Sequence, residues 1–160
     1  TNLFGPGDNY EVRGSHVLPA LIRKMHEGKR NNAPSVSIWG TGTPRREFLY
    51  SDDLADACVT LMEMDDRTLA PLFNEQDPPL VNIGFGVDMT IAELATLVAD
   101  IIGYRGELFF DHTHADGTPQ KLLDSSRMRS LGWKPKTSLR EGIQMAYKDF
   151  LSRLPVGNHL

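Results

Sequence analysis

Apolar residues recur at helical spacing in four stretches of this chain. Val17, Leu18, Leu21, Ile22 and Met25 share one face of a 3.6-residue period. They predict a helix capped by Ser15 and stopped at Gly28, with Pro19 admitted because it lies in the first turn. A second stripe, Leu54, Cys58, Leu61 and Met62, follows a Ser51 cap, where Asp52 and Asp53 complement the positive end of the helix. Thr90 and Glu93 form a capping box ahead of Ile91, Leu94, Val98, Ile101 and Ile102, and Gly103 ends that helix. Ser138 and Glu141 repeat the device before Leu139, Ile143, Ala146, Tyr147 and Phe150. A shorter helix over 125–131 stops at Gly132.

Between these lie four short runs that predict strands, at 35–39, 47–50, 80–83 and 107–111. The run 80–83 is nearly continuous in apolar residues, as expected of a strand covered on both faces. Glycine, proline and polar clusters predict loops over 1–14, 29–34, 40–44, 65–79 and 112–121, and a frayed tail after Leu154. Strands alternating with helices define an α/β architecture. Three or four strands against four or five helices make a thin sheet, which further polypeptide would complete.

Composition narrows the class. At 160 residues the chain is one domain or a large part of one. An apolar fraction of 40 % with 24 % charged residues excludes a disordered segment. The net charge of −4 argues against a nucleic-acid surface, and no apolar run approaches a membrane span. A single cysteine, Cys58, excludes an internal disulfide and a thiolate zinc site. On its apolar stripe it reads as structural, and the expected compartment is the cytoplasm. His112 and His114 lack a third ligand at metal spacing, so they read as loop residues and no metal is expected.

Candidate chemistry centres on residues 39–53. Trp39 precedes a glycine-rich turn, followed by Arg45 and Arg46, a short apolar run and a doubly acidic helix start. Guanidinium groups beside buried chain call for an anion, and their planar fork suits phosphate. An ion pair with Glu47 or Asp52 is the alternative for these arginines. Trp39 is either a core residue or a platform for a base. Lys121 ends a polar loop and offers a second cation. His16 stands at a helix start, where it serves either as a hydrogen-bonding residue or as an acid near neutral pH. Val81-Asn82-Ile83-Gly84-Phe85-Gly86 suggests a dinucleotide loop, but Met89 occupies the position of the third small residue, so a structural turn is the better reading.

Five segments together resemble one family. They are Thr1-Asn2-Leu3-Phe4-Gly5-Pro6, Ser15-His16-Val17-Leu18-Pro19-Ala20-Leu21, Trp39-Gly40-x-Gly42-Thr43-Pro44-x-Arg46-Glu47-Phe48-Leu49, Asn82-Ile83-Gly84-x-Gly86-Val87-Asp88 and Asp116-Gly117-Thr118-Pro119-x-Lys121-Leu122-Leu123-Asp124. In this order they resemble the C-terminal half of the GDP-L-fucose synthase branch of the extended short-chain dehydrogenases. These are NADP-dependent enzymes that epimerise GDP-4-keto-6-deoxy-D-mannose at C3 and C5 and reduce it at C4.

The resemblance implies that 1–160 is a substrate-binding C-terminal domain packing on a Rossmann-type half that binds most of the NADP. It implies cofactor contacts from Thr1, Asn2, Leu3 and His16, with His16 also the general acid of epimerisation. It implies a GDP-sugar site at Lys24, Trp39, Arg46, Asp116 and Lys121, and a homodimer for the complete enzyme. The chain has neither the family's glycine-rich cofactor loop nor its Tyr-x-x-x-Lys pair, so alone it is expected to be inactive. The rival expectations are another NAD(P)-dependent sugar-nucleotide epimerase or dehydratase, and a non-catalytic nucleotide-binding module.

Overall fold

A strand of six residues, β3 (Arg45–Tyr50), lies between two hydrophobic cores. Phe48 and Tyr50 enter the larger core and Leu49 the smaller one, as strand alternation requires. The computed structural model describes residues 1–11, 14–73 and 78–154. Strand β1 (Asn2–Phe4) runs parallel to the second half of β3, pairing Asn2 with Phe48 and Phe4 with Tyr50. The first half is held by antiparallel β4 (Asp88–Thr90) and parallel β6 (Gln120–Lys121), which pairs Lys121 with Arg46. A separate two-stranded parallel sheet joins β2 (Ser35–Trp39) to β5 (Glu107–Asp111).

Three helices form the larger core: α1 (Val17–Arg30), α4 (Ile91–Ile102) and α6 (Leu139–Ser152). Their buried faces carry the predicted residues, including Leu18, Ile22 and Met25 on α1 and Leu94 and Val98 on α4. Both predicted capping boxes are formed, with Glu93 reaching back to Thr90 and Glu141 to Ser138.

The smaller core gathers Leu49, Ala57, Met128 and Trp133 around α2 (Ser51–Glu63) and α5 (Ser126–Ser130). Asp53 is buried rather than a solvated helix-end charge. It accepts hydrogen bonds from the Thr137 amide at 2.9 Å and the Lys136 amide at 3.3 Å. Asp56 accepts from Trp133 Nε1 at 2.8 Å, so two carboxylates one turn apart fasten α2 to the segment before α6.

Several expectations are corrected. The run 80–83 is not a strand. Leu80 is 61 % exposed, and its carbonyl accepts from Arg127 Nη1 at 3.1 Å instead of joining a ladder. Cys58 is exposed and lies off the buried face of α2, which turns Asp53 and Ala57 inward. Helix α1 begins after His16 rather than Ser15. It passes through Gly28, which is buried within the helix, to a cap at Asn31. Tyr50, not Ser51, is the cap position of α2, and it makes no side-chain cap. The 1–14 segment holds β1, and the 65–79 segment contains α3 (Asp66–Leu69) and a 3₁₀ turn (Ala70–Leu72). The tail after Leu154 lies outside the described residues.

Candidate functional site

The site opens where β2 ends. Val36 and Ile38 point into the core, which turns Trp39 outward with 64 % of its surface exposed. The next residue, Gly40, has φ of +83° and carries the chain away from the strand. Asp116 sits directly on it, and a Cβ at Gly40 would collide with the Asp116 carboxylate. That carboxylate accepts from the Thr41 amide at 2.9 Å and from the Thr41 hydroxyl at 2.6 Å. These bonds hold the Asp116 carboxyl below the usual range.

From α1, Lys24 reaches across to β2. Its Nζ donates to the Ser37 carbonyl at 2.8 Å and lies 5.3 Å from the centre of the Trp39 ring. Burial lowers its pKa from the ordinary value.

The adjacent arginines have separate fates because successive strand residues point to opposite faces. Arg45 is committed to Asp88, with Nε–Oδ1 at 2.9 Å and Nη2–Oδ1 at 2.8 Å. Gln120 and then Arg45 hold the Asp88 carboxyl below the usual range. Arg46 makes no ion pair among the described residues. Its Nη1 donates only to the Arg45 carbonyl at 2.7 Å, and its guanidinium stands beside Gly117. Among the described residues neither Glu47 nor Asp52 pairs with an arginine, and the carboxylate that meets Arg45 is Asp88.

Two cavities meet here. One, of about 260 Å³, is lined by Ser15, Val17, Ala20, Lys24, Ile38, Trp39 and Ile91 among others. The other, of about 180 Å³, is lined by Val17, Trp39, Pro44, Arg46, Ile91, Asp116 and Gly117 among others. Val17, Trp39 and Ile91 belong to both. The result is a cleft with a cation at each end, an apolar floor and an indole wall. Such a surface suits a planar ring joined to an anionic group.

Of the sequence-predicted residues, Lys24, Trp39, Arg46 and Asp116 therefore converge. His16 is exposed at the cap position of α1, between two residues that line the first cavity. Lys121 is exposed and pairs in register with Arg46. Thr1, Asn2 and Leu3 belong to the β1 end, joined to the second half of β3. Asn2 Nδ2 donates there to the Glu47 carbonyl at 3.0 Å.

Sequence reasoning missed Glu47. Its side chain is fully buried and accepts from the Gly86 amide at 3.1 Å and the Leu123 amide at 3.0 Å. It ties the turn after 80–83 to the segment after β6, on both sides of the Arg46 position. A Cβ at Gly84 would lie 2.6 Å from Glu47 Oε2, so glycine is required there by close approach. A carboxylate filling this turn repels a pyrophosphate. The Gly84-x-Gly86 turn is thus structural, and these residues do not fit a dinucleotide cradle. The one available signal was a glutamate inside an apolar strand run.

Residues 1–84 match the NAD dependent epimerase/dehydratase family. The chain belongs to the NAD dependent epimerase/dehydratase family. Within it, GDP-L-fucose synthase 1 of Arabidopsis thaliana is 50 % identical over 154 residues, 96 % of this chain and 45 % of that relative. Among solved structures, a GDP-6-OMe-4-keto-L-xylo-heptose reductase from C. jejuni matches with a TM-score of 0.83 and 36 % identity, over 96 % of this chain and 52 % of its own. A GDP-L-fucose synthetase from Naegleria fowleri bound to NADP matches with a TM-score of 0.79 and 29 % identity, over 95 % of this chain and 45 % of its own. The chain spans about half the length of the curated relatives it matches.

Proposed function

We propose that this chain is the substrate-binding C-terminal domain of a GDP-L-fucose synthase, the NADP-dependent 3,5-epimerase and 4-reductase of GDP-4-keto-6-deoxy-D-mannose. The observation that carries the reading is the convergence of Lys24, Trp39 and the uncommitted Arg46 guanidinium on one cleft. The similarity to GDP-L-fucose synthases supports guanine as the base. In this reading Trp39 meets the base and Arg46 grips the diphosphate through its fork. Lys24 and Lys121 add point charges, and Asp116 holds the loop that bounds the anion end.

Binding energy from the nucleotide then orients the hexose for chemistry. Its C4 ketone acidifies the protons at C3 and C5, because charge left on carbon delocalises onto oxygen. A base from the remainder of the polypeptide takes the proton from carbon, and His16, exposed between two residues that line the first cavity, returns one as the general acid. NADPH, which would be held by the remainder of the polypeptide with contacts from Thr1, Asn2, Leu3 and His16, would supply the hydride for C4 and become NADP+. No residue of this chain takes the place of the family's tyrosine and lysine. The chain alone is therefore inactive in this reading, and the complete enzyme is a cytoplasmic homodimer.

Calorimetry on the full-length enzyme tests the assignment. GDP should bind at least tenfold more tightly than UDP, and His16→Ala should lower epimerisation at least tenfold with GDP affinity kept. Equal affinity for the two nucleotides would remove guanine as the ligand. Wild-type turnover in His16→Ala would remove that residue from the chemistry.

A further inference from the structure

Trp39 is 64 % exposed, so burial cannot hold its ring in place. The chain's other tryptophan shows the contrast: Trp133 is 6 % exposed and is anchored through its indole nitrogen to Asp56. The Trp39 nitrogen has no hydrogen bond among the described residues. Two groups contact the indole: Lys24 Nζ, on a cleft-lining side chain of α1 and 5.3 Å from the ring centre, and His114, which stacks on it. The ring centres are 4.4 Å apart and the planes differ by 4°. The imidazole is itself held, because His114 Nδ1 lies 3.0 Å from Asp111 Oδ2. Asp111 is fixed in turn: its Oδ1 accepts from the Thr113 hydroxyl at 2.6 Å and the Thr113 amide at 3.0 Å. Asp111 also ends β5, paired in register with Trp39, so the indole and the carboxylate that holds the imidazole stand on one rung of one small sheet.

Both cavities are lined by Trp39 and neither by His114. We propose that His114 is a positioning residue that stacks on the indole face turned away from the cleft and so holds the opposite face toward the incoming base. The proposal rests on the nucleotide-binding reading above and adds a residue to which that reading gives no role. An unsupported indole on a strand end samples several rotamers, and a base that stacks on it must freeze them. His114 removes that freedom before binding. An aromatic stack of this kind is worth about three- to tenfold in an equilibrium.

The test uses the full-length enzyme. His114→Ala should weaken GDP binding by about three- to tenfold in calorimetry and raise KM for the nucleotide sugar by a similar factor. The rate constant kcat should stay within about twofold, because the imidazole meets neither the hexose nor the reacting atoms. His114→Phe, which restores a flat ring, should recover the affinity. The emission that disappears in Trp39→Phe reports the indole directly, and it should change in His114→Ala as its stacked neighbour is lost. Trp39→Phe separates the two claims. If wild type binds GDP and Trp39→Phe weakens it while His114→Ala binds as wild type does, the positioning role is overturned and the nucleotide site stands. If His114→Phe binds as weakly as His114→Ala, stacking is not the cause and the proposal also fails. If wild type does not bind GDP, or Trp39→Phe leaves its affinity unchanged, the base platform is wrong and the proposal falls with it.

Discussion

Arg45 and Arg46 are neighbours in sequence with different partners. Arg45 is paired with Asp88 at a partly exposed site, where solvent screening leaves such a bridge little weight in stability. Arg45→Ala should therefore lower stability slightly in urea and leave GDP affinity within about twofold. Arg46 faces the cleft with no ion pair among the described residues, and Arg46→Ala should weaken GDP binding by at least about tenfold in calorimetry. Glu47 presents a third behaviour. Glu47→Ala strands two inward-facing amides, Gly86 and Leu123, and leaves a void beside Gly84. It should cost on the order of 3 kcal/mol in urea unfolding. An effect under about 1 kcal/mol would mean that water replaces the carboxylate without loss. In sequence these three side chains are simply consecutive charges. A phosphate role could be proposed for both arginines because the guanidinium fork suits phosphate, and the resemblance singled out Arg46. Glu47 could not be assigned, because the identity of its amide partners, 39 and 76 residues away, is tertiary information.

At the level of elements, signals that act within one turn were legible and signals that act across the sheet were not. Thr90 with Glu93 and Ser138 with Glu141 are local reciprocal bonds, and both formed as read. The apolar stripes of α1, α4 and α6 were equally plain. Strands β1, β4 and β6 have three residues or fewer, too short to display a period. The 80–83 run was misread because an apolar string looks the same whether it pairs in a ladder or packs as extended loop. Helix α2 was placed correctly but rotated wrongly, since its inward face carries Asp53. That carboxylate receives two amides and the Thr137 hydroxyl. Asp53→Ala should thus loosen α2 from the Lys136–Thr137 segment, at a cost of about 2 kcal/mol, with early hydrogen exchange in α2 as the local sign. Uniform exchange across α2 and α6 would argue against a local docking role.

For the molecule as a whole, charge state sets the working range. Asp56, Asp88, Asp116, Glu93 and Glu141 all have pKa values below their ordinary 3.8 or 4.5, chiefly through hydrogen bonds from Lys136, Gln120, Thr41, Thr90 and Ser138 respectively. A folded-state value below the unfolded one gives stability above the ordinary pKa, lost as pH falls through the folded value. The thermal midpoint should accordingly hold from about pH 7 to 5 and drop below about pH 4. Burial raises Tyr10, Tyr50, Tyr104 and Tyr147 above their ordinary 10.0. Here the sign reverses: stability is complete below that value and declines as pH rises beyond it. A midpoint insensitive to acid would show that these carboxylates keep the same partners in the unfolded chain.

Strand β3 also sets a limit on how this gene can change length. Its residues serve alternate faces, so removing one codon within Arg45–Tyr50 shifts the register by one and turns every residue on the shifted side to the opposite face. Point substitutions there can be graded in effect, whereas frame-preserving deletions cannot. A deep scan of single-codon deletions should show an uninterrupted intolerant block across this strand, with tolerated losses beginning only in the loops beyond it.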